Sequence, residues 1–346
     1  MKTRWLSPVV SGDGSGETLY HDNSNRIARI ASRFPAYARM FLHRVSKGMP
    51  LSDIVAGTMV GQMLPERKFP AQVSLELTNN CNIQCGYCPN HLGLRPGGYM
   101  DEGTCSSLLS ELRKIRVPRI HICGNGEPSL HPEFGSLLPK LAASTRFISL
   151  VSNGQWNSSE TVSALLNSVD MLHVSVEGNS PESYQKGRCG GDFARLIRNL
   201  EMLQAEKQHS GKKILINVRL MLHPSERSSE AQLVNFWRKY GDTVTREYVK
   251  QLQCFDTQTE VYVPLQSKTR ATPICIKPGF LLNVFWNGDV PLCGDMCLLR
   301  DSPNALLGNI NGNSILEMWN MPLLQQLREG HRCGDEIEMC RGCHGQ

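Results

Sequence analysis

No stretch of this 346-residue sequence approaches the roughly 18 unbroken apolar residues of a membrane span. Its opening, Met1-Lys2-Thr3-Arg4-Trp5-Leu6-Ser7-Pro8, has no apolar core of a secretory signal. Both absences point to a cytoplasmic protein without a membrane partner. An excess of one charge is also missing. Lys and Arg number 37 against 32 Asp and Glu, a formal net charge of +5, and the basic residues form no long run, so nucleic acid is not an expected partner. Internal repeats and low-complexity segments are missing too. With 40% hydrophobic and 20% charged residues the composition is that of a folded protein, which excludes disorder and fibre. Ser11-Gly12-Asp13-Gly14-Ser15-Gly16 lacks the lysine and flanking apolar strand of a phosphate-binding loop and reads as flexible tail. The length suits about two domains, although a barrel of about 200–250 residues can be one.

Cysteine is what the sequence has in quantity: 13 of them. In a reducing compartment they point to metal binding or chemistry rather than disulfides. Cys81, Cys85 and Cys88 form one tight group, and six more follow late in the chain: Cys275, Cys293, Cys297, Cys333, Cys340 and Cys343. Cys105, Cys123, Cys189 and Cys254 occur singly and read as small buried hydrophobes.

Residues 1–69 are expected to be a tail and a helical lead, because Ile27, Ile30, Phe34, Tyr37, Met40 and Phe41, then Ile54, Val55, Met59 and Met63, keep near-helical spacing. Over residues 70–270 short β-branched runs alternate with amphipathic helices. The runs are 73–77, 120–122, 147–151, 171–176, 214–218 and, less sharply, 244–249; Phe134, Leu137, Leu138 and Leu141 show the helical spacing between them. Strand–helix units in series imply a parallel α/β sheet, since parallel neighbours need a crossover of helix length, and functional loops then follow the carboxyl ends of the strands. Residues 271–346 read as a small appended α+β domain. Asn287-Gly288 between apolar runs signals a hairpin over 281–292, and helices follow at Ser314–Trp319 and 323–328.

The first strand runs into Cys81-Asn82-Ile83-Gln84-Cys85-Gly86-Tyr87-Cys88. Three thiolates spaced C-x3-C-x2-C in one loop can hold three irons of a [4Fe–4S] cubane, leaving the fourth iron open. A structural zinc with His91 as fourth ligand is the competing reading. The loop resembles the signature of the radical S-adenosylmethionine (radical SAM) superfamily. That resemblance implies a partial (β/α)6 TIM-like barrel in which the open iron takes the methionyl group of the cofactor and Tyr87 lies against its adenine. The next strand leads into Gly124-Asn125-Gly126-Glu127-Pro128, similar to the family's Gly-Gly-Glu segment that receives the methionyl amino group, with Asn125 in place of the usual glycine. By the same resemblance Ser152-Asn153-Gly154 matches the family's third-strand turn. Ser175 and Glu177 stand in the segment that meets the ribose, and Arg188 stands where relatives carry an arginine near the cofactor. No catalytic base is singled out; His173, Glu177, Arg219 and His223 lie near strand ends, and Asn217 sits on the fifth strand.

The late cysteines read as a second metal site, similar to the auxiliary-cluster domains called SPASM and, in short form, twitch. Leu307-Gly308-Asn309-Ile310 and the helix carrying Trp319 belong to that likeness. The best set for an auxiliary [4Fe–4S] cluster is Cys275, Cys293, Cys340 and Cys343, with Cys297 and Cys333 unassigned and a four-cysteine zinc ribbon the competing reading. The resemblance implies a radical SAM oxidoreductase fed by flavodoxin or ferredoxin, which cleaves S-adenosylmethionine and takes hydrogen from a substrate C–H bond. The expected reaction is net oxidation of a sugar or cyclitol alcohol, because a fully cysteine-ligated auxiliary cluster suits electron acceptance. The alternative is maturation of a ribosomally made peptide by thioether formation, carbon–carbon crosslinking or epimerisation; a third reading is a cysteine-rich metal-binding or electron-carrier protein.

Overall fold

The computed structural model describes residues 68–88, 90, 93, 95–223, 226–248, 275, 277–294, 306–333 and 340. The expected tail and helical lead, apart from residues 68 and 69, lie outside the described residues, as do His91, Cys254, Cys297 and Cys343. The elements run β1 (Gln72–Leu75), β2 (Gln84–Cys85), α1 (Glu102–Ile115), β3 (Arg119–Ile122), α2 (Phe134–Ala142), β4 (Phe147–Ser152), α3 (Ser159–Ser168), β5 (Met171–Glu177), α4 (Pro181–Gly187), β6 (Arg188–Cys189), α5 (Phe193–Ser210), β7 (Leu215–Leu222), α6 (Glu230–Trp237) and β8 (Thr243–Tyr248). The C-terminal part adds α7 (Lys277–Phe280), β9 (Leu281–Val284), β10 (Asp289–Pro291), β11 (Leu306–Asn309), α8 (Ile315–Trp319) and α9 (Pro322–Cys333).

Seven strands form one sheet in the order β8-β7-β5-β4-β3-β1-β9, and every pairing in it is parallel. The α/β partial-barrel expectation is met. Strand alternation explains how the sheet divides its faces. Val73, Leu75, Ile120, Ile122, Ile148, Leu150, Leu172, Val174, Ile216 and Val218 are buried in a core shared with Leu108 and Leu112 of α1, Leu138 and Leu141 of α2, and Leu196 and Leu200 of α5. The opposite parity carries Ser74, His121, Ser149, His173 and Asn217, so the inner face of the sheet is polar. Helices begin where the sequence supplies a cap: Asp101, Ser158 and Asp192 each accept a backbone N–H of the first turn.

One expectation is corrected. Leu281–Val284 is not confined to the appended domain; it is the seventh strand of the main sheet, parallel to β1, and the chain reverses after it with the Phe285 N–H donating to the Asp289 carbonyl at 2.8 Å. The turn itself forms, with Gly288 at φ +85° and its N–H donating to the Phe285 carbonyl at 2.9 Å. The strand after it, β10, pairs instead with β11. Burial decides the matter: Leu282 and Val284 are fully covered in the sheet, and the free edge of β1 gains partners, Glu76 donating its N–H to the Val284 carbonyl at 2.9 Å. The C-terminal part also docks on α1, where buried Glu111 accepts the Ile315 N–H at 3.0 Å. No helix among the described residues is long and apolar enough to cross a membrane.

Two aspartates pin strand starts. Asp170 accepts the Ile148 N–H at 2.8 Å, and Asp242 accepts the Ile216 N–H at 2.6 Å and the Lys207 ammonium at 2.6 and 2.7 Å. Burial alone would raise the Asp242 carboxyl, but Lys207 and the backbone donor outweigh it and hold the group below the usual carboxylate range. A depressed folded pKa gives stability that is present above the unfolded value of about 3.9 and lost as pH falls through the folded one. Asp242→Asn is therefore expected to lower the urea midpoint at pH 6 and to flatten its fall on acidification, measured by circular dichroism.

Candidate active site at the carboxyl ends of the strands

The loop after β1 is closed at its base by side chains. Thr78 Oγ1 donates to the Gly98 carbonyl at 2.6 Å, Asn79 Nδ2 to the Pro96 carbonyl at 2.7 Å, and Asn79 Oδ1 accepts the Gly98 N–H at 2.9 Å. Its middle is held by a second strand pairing: β2 runs antiparallel to β6, placing Cys85 opposite Arg188, and the Gly86 N–H donates to the Gly187 carbonyl at 3.0 Å. Cys81, Cys85 and Cys88 are half-buried free thiols. Burial raises all three, Cys88 to about 11; Cys81 and Cys88 each feel Cys85 as a like charge, and Cys85 feels Glu177 and Cys189. Three desolvated thiols in one loop ionise only when a cationic centre compensates them, which is the chemistry of an iron–sulfur donor set. Among the described residues no group of three or more His, Cys, Asp and Glu has the spacing to hold a metal ion, so the fit to a cluster rests on this donor chemistry.

The segment after β3 is packed against that loop. A Cβ on Gly126 would stand 2.5 Å from the Asn80 and Thr78 carbonyl oxygens, and the Glu127 N–H donates to the Asn80 carbonyl at 2.8 Å. Glu127, 2% exposed, is not held open for an ammonium. Its Oε1 accepts Ser129 Oγ at 2.7 Å, Ser152 Oγ at 2.8 Å and the Ser129 N–H at 3.3 Å, and its Oε2 accepts the Asn153 N–H at 2.7 Å. It is a buckle between the ends of β3 and β4. Asn153, so placed, donates to Asn82 Oδ1 at 2.8 Å and to the Cys81 thiol at 3.8 Å.

Tyr87, Glu177 and Arg188 come together, with Ser175 two residues before Glu177 on the same face of β5. Arg188, 3% exposed, directs Nη1 at the Cys85 thiol, 3.7 Å away, and its guanidinium lies 5.9 Å from the Tyr87 ring centre. Its Nε is 4.0 Å from Glu177 Oε2. Three buried polar atoms here lack a hydrogen-bond partner: Tyr87 OH, Glu177 Oε2 and Arg188 Nε. Buried polar atoms are rarely left unpaired, and a ligand rich in hydroxyl, ammonium and carboxylate groups, as S-adenosylmethionine is, would pair them. Burial pushes Glu177 up to about 7 although Arg188 opposes it.

Sequence reasoning missed Glu76 and Arg95. They form an ion pair at 2.5 Å, the guanidinium lies 4.1 Å over the Phe285 ring, and Glu76 Oε2 is 3.4 Å from both nitrogens of Asn125. Strand parity continued one residue past β1, which puts Glu76 on the parity of Ser74, was the available signal. Of the undecided residues, His173 Nδ1 accepts Asn217 Nδ2–H at 3.0 Å, Asn217 also bonds Thr245 and Thr243, and Arg219 grips Glu247 with two bonds; on the same face His121, which the sequence does not single out, bonds Ser149 at 2.8 Å. Burial, with Arg219 nearby, pulls His121 down to about 3 and His173 to about 4, so both imidazoles are neutral. Cys275, Cys293 and Cys340 are half-buried, and Cys293 and Cys340 pack on the core.

Residues 75–236 match the family model described as the Radical SAM superfamily, and residues 275–344 match the SPASM model, an iron-sulfur cluster-binding domain. The chain belongs to the radical SAM superfamily and carries a SPASM domain behind its barrel. The two domains imply a SAM-binding [4Fe–4S] cluster, an auxiliary cluster and S-adenosylmethionine. The chain is 31% identical over 138 residues to mycofactocin maturase MftC of Mycobacterium ulcerans (strain Agy99), a match covering 39% of this chain and 37% of that protein. It is 31% identical over 144 residues to PqqA peptide cyclase of Rhodopseudomonas palustris (strain ATCC BAA-98 / CGA009), covering 39% and 38%. These matches thus span less than half the length of either relative. In fold the chain is similar to Streptococcus suis SuiB bound to precursor peptide SuiA, with TM-score 0.58, 14% identity and coverage of 80% of this chain and 71% of that one. It is also similar to BtrN in complex with AdoMet and 2-DOIA, with TM-score 0.51, 17% identity and coverage of 76% and 87%.

Two outcomes follow from the site. Glu127→Gln turns an amide donor toward N–H and O–H donors and is expected to cost about 1–3 kcal/mol, read from urea unfolding of the metal-free chain. Glu177 has a raised folded pKa, so its contribution is fully present below its unfolded value of about 4.3 and is lost as pH rises through about 7. Stability of the metal-free chain should fall between those values, and Glu177→Gln should remove that slope.

Proposed function

We propose that this protein is a radical SAM enzyme that modifies a ribosomally made peptide. The observation that carries this reading is the 31% identity, over 138 and 144 residues, to two proteins named as a maturase and a peptide cyclase. It moves the alternative of the sequence reading ahead of sugar or cyclitol oxidation. The likeness to BtrN is one of fold and lends the sugar reading no further weight.

The division into a helical lead over 1–69, a barrel over 70–270 and an auxiliary-cluster domain over 271–346 gives each part a role. Cys81, Cys85 and Cys88 would hold the cofactor-binding cluster, and Tyr87, Gly126, Asn153, Ser175, Glu177 and Arg188 would surround the cofactor, while Glu127 holds two strand ends in place. When bound, cluster and cofactor supply a 5′-deoxyadenosyl radical that can take a hydrogen atom from an unactivated C–H bond. The chain's own work is placement and exclusion of water. The Glu127 buckle fixes Asn153 beside Cys81, the β2–β6 pairing fixes Arg188 beside Cys85, and the polar inner face of β3, β5 and β7 offers neutral imidazoles and amides to a substrate side chain. Cys275, Cys293, Cys340 and Cys343 would hold the auxiliary cluster, which would supply an electron acceptor, with flavodoxin or ferredoxin as the first electron donor.

The test is anaerobic reconstitution with iron, sulfide, dithionite and S-adenosylmethionine. 5′-Deoxyadenosine should form, and a short peptide encoded beside the gene should accelerate it and change mass; acceleration by sugars or cyclitols alone would overturn the peptide reading. Replacing Cys275 and Cys293 together by Ala should leave cofactor cleavage intact while product formation falls at least tenfold, followed by mass spectrometry.

A further inference from the structure

Each of the three loop thiols has a nitrogen donor, and the donors are unequal. Asn153 offers Cys81 a neutral amide at 3.8 Å, and Cys88 faces the backbone N–H of Asn90. Cys85 has a cation as its donor, the Arg188 guanidinium, at 3.7 Å, and the same charge also lowers the Cys88 thiol. That cation is built into the site. It is 3% exposed, its backbone is paired residue for residue with Cys85 through the β2–β6 ladder, and its ion-pair partner among the described residues, Glu177, stands 4.0 Å from Nε without a hydrogen bond. A Cβ on Gly187 would overlap the Glu177 carboxylate, so the carboxylate packs directly on that glycine. Sulfur ligands that accept hydrogen bonds, and positive charge buried beside them, favour the more negative, reduced state of a cluster, and a buried charge acts strongly because little water screens it.

We propose that Arg188 and Glu177 act as opposed tuners of the reduction potential of the Cys81/Cys85/Cys88 cluster, Arg188 raising it through the Cys85 thiolate and Glu177 limiting that rise. The inference rests on the assignment of a cluster to this loop. It gives the pair a role before any cofactor or substrate binds: setting how readily the resting cluster takes an electron.

The experiment is a potentiometric titration, monitored by electron paramagnetic resonance, of the reconstituted full-length protein without S-adenosylmethionine. The relevant cluster is identified beforehand as the signal that changes when the cofactor is added. Arg188→Met should make reduction about tenfold less favourable, about 59 mV lower for one electron, and Arg188→Lys should lie between it and the parent. Glu177→Gln should shift the potential upward, and Asn153→Ala should shift it less than Arg188→Met. Iron content confirms loading of each variant. A loaded Arg188→Met cluster with the parent's potential would overturn the proposal, as would shifts of the same sign from Arg188→Met and Glu177→Gln. A chain that assembles no cluster on the three cysteines would overturn the assignment of the loop itself, and this proposal with it.

Discussion

The antiparallel pairing of Gln84–Cys85 with Arg188–Cys189 ties the loop after the first sheet strand to the loop after α4. It is only two residues long, yet it decides which side chains meet. Without it Arg188 would be a cation at a helix end, where solvent screens charge and the interaction with any one thiol is small. With it the guanidinium is enclosed against Cys85, Tyr87 and Glu177, and the carboxylate of Glu177 packs on Gly187, the last residue of α4. The polar atoms left without partners in this enclosure cost free energy in the unliganded chain. Such strain persists where the surrounding structure over-determines it, here by a ladder on one side and a strand end on the other.

The two faces of the sheet explain how so polar a site stands on a stable scaffold. Aliphatic residues on the outer parity of five successive strands enter one core with the helices, and that burial is the dominant stabilising contribution. The inner parity is thereby free to carry histidine, asparagine and arginine. Their polar groups satisfy one another across strands: His121 with Ser149, His173 with Asn217, Asn217 with Thr243 and Thr245. Neutral imidazoles suit this arrangement, since a second positive charge beside Arg219 would be repelled in a poorly solvated interior.

The periodicity of strands and helices was legible in the sequence because it records the division between the two faces. The order of the motifs at strand ends was legible because a parallel sheet places its loops that way. Glu127 reads differently in three dimensions: a carboxylate in a glycine-rich turn suggests a ligand, whereas its oxygens are taken by four donors from its own and the neighbouring strand. Pattern shows that a carboxylate is present but not how many donors surround it. Arg95 and Glu76 were hidden for a related reason, since their partnership spans a loop whose path no periodicity specifies. The placement of Leu281–Val284 was hidden because an Asn-Gly turn announces where the chain reverses, but not which neighbour the strand before it will choose.

That last choice has a structural consequence for the two predicted metal sites. Because β9 belongs to the main sheet, the residues following it press on the first cysteine loop. Phe285 supports the Arg95 guanidinium, and the Trp286 ring occupies the space that a Cβ on Gly98 would need, at the residue whose carbonyl receives Thr78. Glu76, ion-paired to Arg95, directly follows β1 at the start of the loop. The segment leading toward Cys293 therefore shares a continuous set of contacts with the segment that carries Cys81. A unit joined only by a linker could take many positions relative to the barrel. One that contributes a strand to the barrel's sheet and a tryptophan to the base of its cysteine loop has its orientation fixed by the same hydrogen bonds and packing that fold the barrel.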